Sequence, residues 1–139
     1  AIGHAPGIAL ANAAAGSRIA ITEALANIVF APLDQGIRGI SCSANWMWPC
    51  KNPGEDARLY EAVEAVSQFA CSLGINIPTG KDSLSMTQKY SDDVVYAPGT
   101  VIISASAEVL DVKAVVTPDL KPVAGSRVIY IDFTNSALA

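Results

Sequence analysis

Glu23 and Asn27 stand four residues apart, and on a helix that spacing stacks one carboxylate and one amide carbonyl on the same face. Both are hard oxygen donors of the kind Mg²⁺ accepts. Magnesium commonly takes only one or two protein ligands and completes its shell with phosphate oxygens and water. The small-residue run "AAAGS" just ahead would let a phosphate approach the helix N-terminus. On spacing alone, an ordinary solvated helix face is the simpler account of the pair.

A second cluster is "IPTGKDSLSM", residues 77–86, where Gly80, Lys81 and Ser83 suggest a phosphate-binding loop. The Walker pattern requires G-x-x-x-x-G-K-[ST] on a turn that leaves a strand and opens a helix. Here the upstream glycine, Gly74, lies one residue too far away, and Asp82 stands where the hydroxyl should be. The stretch also follows a helical pattern and leads into a strand-like one. It is not a P-loop; it reads as strand, turn and strand. At the tip "TGKDS", Lys81 would meet a phosphate and Asp82 a metal or donor group. The plainer reading is a polar hairpin turn in which Asp82 bonds its own backbone.

The thiols are less promising. Cys42, Cys50 and Cys71 are odd in number and lack C-x-x-C spacing, which reads as reduced cysteines of a cytosolic protein. A nucleophilic Cys50 would have to pair with the sole histidine, His4. In "SANWMW" the two tryptophans, Trp46 and Trp48, read as an interface or a packed lid, because large aromatics need burial.

Elements must position these groups, and the chain is long enough to supply them. Its 139 residues suit a single domain with a real core, and 51% hydrophobic against 16% charged residues excludes disorder. A net charge of −4 argues against a nucleic-acid partner, whose phosphates demand a basic surface. No apolar run approaches the roughly 18 residues of a membrane span. Nothing at the start resembles a signal peptide.

Residues 2–16, broken by Gly3, Pro6, Gly7 and Gly16, read as an extended, loop-rich lead-in. Ser17 is the expected cap of a helix through "SRIAITEALANIVF", with Ile21, Leu25, Ile28 and Val29 as its apolar stripe. "IRGISCSA" reads as a strand and "NWMWPCKNPGED" as an irregular loop. Asn52, Pro53 and Glu55 form a capping-box start for a second helix, whose buried face is Tyr60, Val63, Val66, Phe69, Ala70 and Leu73, with Gly74 at its end. "TVIISASAEV" is a strand with Val101, Ile103, Ala105, Ala107 and Val109 on one face. Residues 111–126 read as a linker. "RVIYIDF" then reads as a strand without a partner, which suggests a piece of a longer protein.

Together, "GSRIAITEALANI", "SANWMWPCKNPGEDARLYEAV", "LGINIPTGKDSLSM" and "PGTVIISASAEV" resemble the large form of phosphoribosylformylglycinamidine synthase, a glutamine-dependent amidotransferase of purine biosynthesis. The resemblance covers nearly the whole chain. It implies an α/β (α+β) fold like the N-terminal domain of aminoimidazole ribonucleotide synthetase, a mixed sheet with helices on one face, taken from the second of two such copies. It sets residues 1–110 as that domain, 111–126 as linker and 127–139 as the truncated first strand of the following domain. In the family more residues normally separate "TN" from "SALA".

The resemblance further implies Mg²⁺ ligation by Glu23 and Asn27 beside a bound ATP or ADP, and places Lys81 and Asp82 as nucleotide-binding candidates on the same cleft. The parent reaction uses ATP to activate the formamide oxygen of formylglycinamide ribonucleotide, and ammonia from a glutaminase domain displaces phosphate. The family's nucleotide in this copy is auxiliary and no glutaminase residues occur here. The expectation is therefore a fragment with no catalytic residue, inactive alone, partnered by the remaining domains, or by a second copy through an open sheet face that includes Val101 and Ile103. The competing readings are a purely structural domain without nucleotide and another ATP-dependent enzyme of the same superfamily, such as a selenophosphate synthetase or thiamine-monophosphate kinase.

Overall fold

In the computed structural model, which describes residues 1–131, the chain opens with a two-residue strand β1 (Ile2–Gly3), a short helix α1 (Pro6–Ala11) and a long helix α2 (Ala13–Ile28). The extended lead-in expected over residues 2–16 is therefore mostly helical. Pro6 does not break α1, because it sits in the first turn, where no N–H is needed. Asn12 rather than Ser17 caps α2, its Oδ1 accepting the Ala15 N–H at 2.8 Å. Ser17 lies inside the helix, buried, its hydroxyl donating to the Ala13 carbonyl at 2.7 Å.

A 3₁₀ turn (Gly36–Gly39) leads into β2 (Ser41–Met47), so the strand starts later than expected and runs on through Asn45, Trp46 and Met47. Pairing on both sides, to β3 (Asn76–Ser83) and β6 (Thr100–Ser106), holds those three residues extended. Helix α3 (Glu55–Leu73) starts at Gly54, not Asn52, whose amide instead donates to the Pro49 carbonyl at 2.8 Å and to Thr87 Oγ1 at 3.1 Å. Gly74 ends α3 as expected; its φ of 69° is left-handed, and its N–H closes back on Ala70 and Cys71. β4 (Thr87–Lys89) and β5 (Val94–Tyr96) make a separate hairpin.

The main sheet has the order β1-β6-β2-β3, with β2 and β3 parallel and the other pairs antiparallel. Both long helices pack on one of its faces. Cross-strand partners Cys42 and Ala105, Ala44 and Ile103, and Trp46 and Val101 point to that side. They meet Ala20, Ile21 and Ala24 of α2 and Val66 and Ala70 of α3. Alanines thus carry much of the helix–sheet contact. On α2 the buried stripe is Ala13, Ser17, Ala20, Ile21 and Ala24, while Leu25 and Ile28 are only partly covered and Val29 is exposed. On α3 the small residues Ala62, Ala65 and Ala70 turn inward with Val66, which leaves Tyr60 69% and Val63 43% exposed. Small side chains let the helices approach closely. Of the larger residues expected on the buried face of α3, Val66 is buried, Phe69 and Leu73 are half-buried against the core, and only Tyr60 and Val63 face outward.

Val101 and Ile103, expected on the open face, are 1% and 0% exposed beneath the helices. The uncovered face carries Ser41, Ser43 and Asn45 of β2 opposite Ser106, Ser104 and Ile102 of β6. After β6 the chain turns back along the end of α2, through a Leu33–Val109 bridge and the Val116 N–H donating to the Phe30 carbonyl at 2.8 Å. Residues 117–131 are exposed. Arg127–Ile131 form no strand, since nothing in the described residues pairs with them; the rest of "RVIYIDF" lies outside the described residues.

Candidate functional site

Gly3 sets the site. A Cβ there would lie 2.2 Å from the Ala20 carbonyl oxygen and 2.3 Å from the Ala24 nitrogen, so only a residue without one lets β1 lie directly on α2. That close approach delivers two backbone groups to the helix. The His4 N–H donates to Glu23 Oε2 at 2.6 Å, and Asn27 Nδ2 donates to the Ile2 carbonyl at 3.0 Å. His4 Nδ1 also lies 3.8 Å from Glu23 Oε2. At about 100° per residue, Glu23 and Asn27 flank the alanine stripe of α2 on the side away from Ile21 and Leu25.

The two side chains are thus held by the segment ahead of them. Because Asn27 donates through nitrogen, its Oδ1 is left without a protein partner among the described residues, and Glu23 retains Oε1. Two oxygens one helical turn apart on exposed side chains suit a hard cation that draws the rest of its shell from phosphate and water. Among the described residues no three His, Cys, Asp or Glu side chains converge on one metal position.

Lys81 and Asp82 are placed differently from the expected turn. They lie within β3, past a register shift between Asn76 and Thr79, in register with Asn45 and Trp46 of β2. Successive strand residues face opposite sides, so Lys81 shares the open face with Asn45, and Asp82 the helix side with Trp46. Lys81 Nζ donates to Ser83 Oγ at 3.0 Å. β3 and β1 are opposite edges of the sheet. Three strand spacings, about 14 Å, separate the two edges. The structure brings Glu23 and Asn27 together and does not bring Lys81 and Asp82 to them.

The thiol reading fails on position and charge. Cys50 packs beside Trp48 at the Ala13 end of α2, whereas His4 sits at Glu23, ten residues and about 15 Å along that helix. Burial pushes the Cys50 thiol above its ordinary pKa, and Asp56, Glu55 and Asp82 push it the same way. A nucleophile needs the opposite.

The tryptophan loop is a packed corner. Trp48 is 0% exposed, its ring under Gly99 and 5.8 Å from the Arg58 guanidinium. Arg58 in turn bonds Glu55 Oε1 at 2.6 Å and the Ala9 carbonyl at 2.7 Å, tying α1 to the start of α3. Sequence reasoning named the tryptophans but missed Arg58 and Gly3. Arg58 drew no reading of its own from the sequence, and Gly3 read only as one of the breakers of the lead-in.

Residues 1–108 match the model of the FGAR-AT PurM_N-like domain. The chain is 43% identical over 132 residues to phosphoribosylformylglycinamidine synthase of Homo sapiens, covering 94% of this chain and 10% of that protein. It is 43% identical over 139 residues to the Drosophila melanogaster protein of the same name, covering 98% of this chain and 10% of that one. Among solved structures it resembles PurLQS from Thermotoga maritima, with a TM-score of 0.62, 18% identity, and coverage of 85% of this chain and 18% of that chain. T. maritima PurL complexed with ADP has a TM-score of 0.58 at 18% identity, covering 78% of this chain and 17% of that one. The chain therefore spans about a tenth of the length of these curated relatives.

Proposed function

From the premise that this chain belongs to the FGAR-AT PurM_N-like domain family, we propose that it is one segment of a phosphoribosylformylglycinamidine synthase. The whole enzyme would convert formylglycinamide ribonucleotide to the amidine with ATP and glutamine, in the cytosol. The observation that carries this reading is 43% identity over nearly the full chain to proteins of that name.

Within that enzyme the segment's own contribution is an auxiliary Mg-nucleotide site. Glu23 Oε1 and Asn27 Oδ1 would hold the ion, and the hydrogen bonds of these side chains to His4 and Ile2 would limit their freedom before ligand arrives. Magnesium would supply charge neutralisation for the phosphates. Likeness to PurL complexed with ADP supports a nucleotide in this fold. Lys81 and Asp82 gain no support as part of the same site, because they lie on the edge strand farthest from the helix pair and on opposite faces of it. The open face of Ser41, Ser43, Ser104 and Ser106 is the surface on which the paired copy of the fold would sit, and residues 111–126 link to the next domain.

The structure also favours a second reading. Glu23 and Asn27 already satisfy two backbone groups of residues 2–4, which by itself accounts for their presence as struts of a scaffold domain. Calorimetric titration with Mg-ADP separates the two. The metal reading expects binding by the chain that is lost in Glu23→Ala, Asn27→Ala. Binding by neither protein, or equal binding by both, leaves the scaffold reading standing.

A further inference from the structure

The hairpin β4–β5 stands apart from the main sheet. Three residues per strand are too few for a two-stranded ribbon to be stable unaided. Among the described residues it is fastened at its base, where the Met86 N–H donates to the Trp48 carbonyl at 3.3 Å and Thr87 Oγ1 accepts from Asn52 at 3.1 Å. A tight turn closes the tip, the Tyr90 N–H donating to the Asp93 carbonyl at 2.8 Å. Yet the projecting part is apolar: Val95 is 52%, Tyr96 55% and Tyr90 62% exposed. Beside Tyr96 an open groove of about 530 Å³ runs past Met86, Ala97 and Pro98. Val95 faces one side of the ribbon and Tyr96 the other, so both faces present exposed apolar side chains. Exposed apolar surface with tyrosines is the composition of an interface core.

We propose that this hairpin is a docking surface, and that its occupant is an apolar surface with a basic rim elsewhere in the longer polypeptide of which this segment is part. The inference rests on the reading of the chain as one segment of a synthase. Charge selects the occupant: Asp92 and Asp93 flank the apolar patch against the single Lys89, so the rim opposite them should carry Lys or Arg. A second copy of this chain is itself at −4 and is disfavoured. The relatives supply the alternative, since nine-tenths of their length lies outside the part matched here.

Amide hydrogen exchange over residues 86–97 tests the proposal, measured in this chain alone and in the full-length enzyme. Exchange is expected to be fast in the chain alone at every concentration and at least tenfold slower in the full-length protein. The Val95→Asp, Tyr96→Asp variant is expected to remove that protection while leaving the thermal midpoint of the chain alone within about 2 °C. Equal exchange in both proteins overturns the proposal. Protection that grows with concentration in the chain alone overturns it in favour of a second copy. An amidotransferase assay on the same full-length sample keeps the two inferences separable. Protection without activity overturns the synthase reading and leaves the docking surface, whereas activity without protection does the reverse.

Discussion

The two faces of the four-stranded sheet are built from the same strands and differ almost completely. Toward the helices, Cys42, Ala44, Val101, Ile103 and Ala105 are at most 5% exposed. On the other side the same strands carry Ser41, Ser43, Ser104 and Ser106. Alternation along each strand sorts the residues into two sets, but it is the placement of α2 and α3 that decides which set becomes core. The helix-side set is close-packed, so losses there leave voids, whereas the open set is polar and only partly covered, so truncation there opens none.

The sharpest way to break this contrast is to truncate neighbours on opposite faces. Ile103→Ala should cost about 3–4 kcal/mol, the range for a fully enclosed aliphatic side chain, and Ile102→Ala less than about 1 kcal/mol. Urea denaturation of the two variants measures the difference; equal midpoints would mean that the faces are not distinguished as described. Next in size is Gly3→Ala, whose methyl would meet the α2 backbone. It should cost about 2–3 kcal/mol, the upper part of the over-packing range, by lifting β1 from the helix. The same lift releases Glu23 and Asn27, so under the proposed metal reading Mg-ADP affinity should fall with stability. A destabilised variant with intact affinity would uncouple β1 from the site.

The smallest effect concerns the thiols. Burial pushes the Cys42 thiol above its ordinary value, an effect the nearby N-terminal amine only partly opposes, while Cys71 is exposed on α3. Alkylation at pH 8 should therefore mark Cys71 first and Cys42 last. Because the folded thiol holds its proton more tightly than the unfolded one, the associated stability is complete below the ordinary thiol pKa. It is lost as pH rises above that value, when only the unfolded chain ionises. A denaturation midpoint that climbs between pH 8 and 10 would contradict this sign.

Much of the local structure was legible. The 19 residues of α3 and their glycine stop, the alternation of β6 and the helical stacking of Glu23 over Asn27 all follow from short-range periodicity. The errors share one cause. Ser17 looked like a cap because serine hydroxyls favour that place, but a serine on the close-packed side of α2 can return its hydroxyl to its own helix. "TGKDS" looked like a turn because glycine, aspartate and serine favour turns, but pairing with β2 along Ser43–Met47 holds it extended. Tyr60 and Val63 looked buried because they are large, but the close approach of α2 and α3 selects alanines.

The sequence by itself determined where apolar residues recur with helical or strand period, and its motifs determined the family. Those properties lie within a few residues of each other along the chain, where 3.6- and 2-residue periods fix which side chains share a face. Only the tertiary structure decided which face is covered, that β1 rests on α2 at Gly3, and that the sheet parts Lys81 and Asp82 from the Glu23–Asn27 pair. Each of those depends on contacts between residues distant in sequence, such as Ala1 with Ala105 or Arg58 with Ala9, which no local pattern encodes.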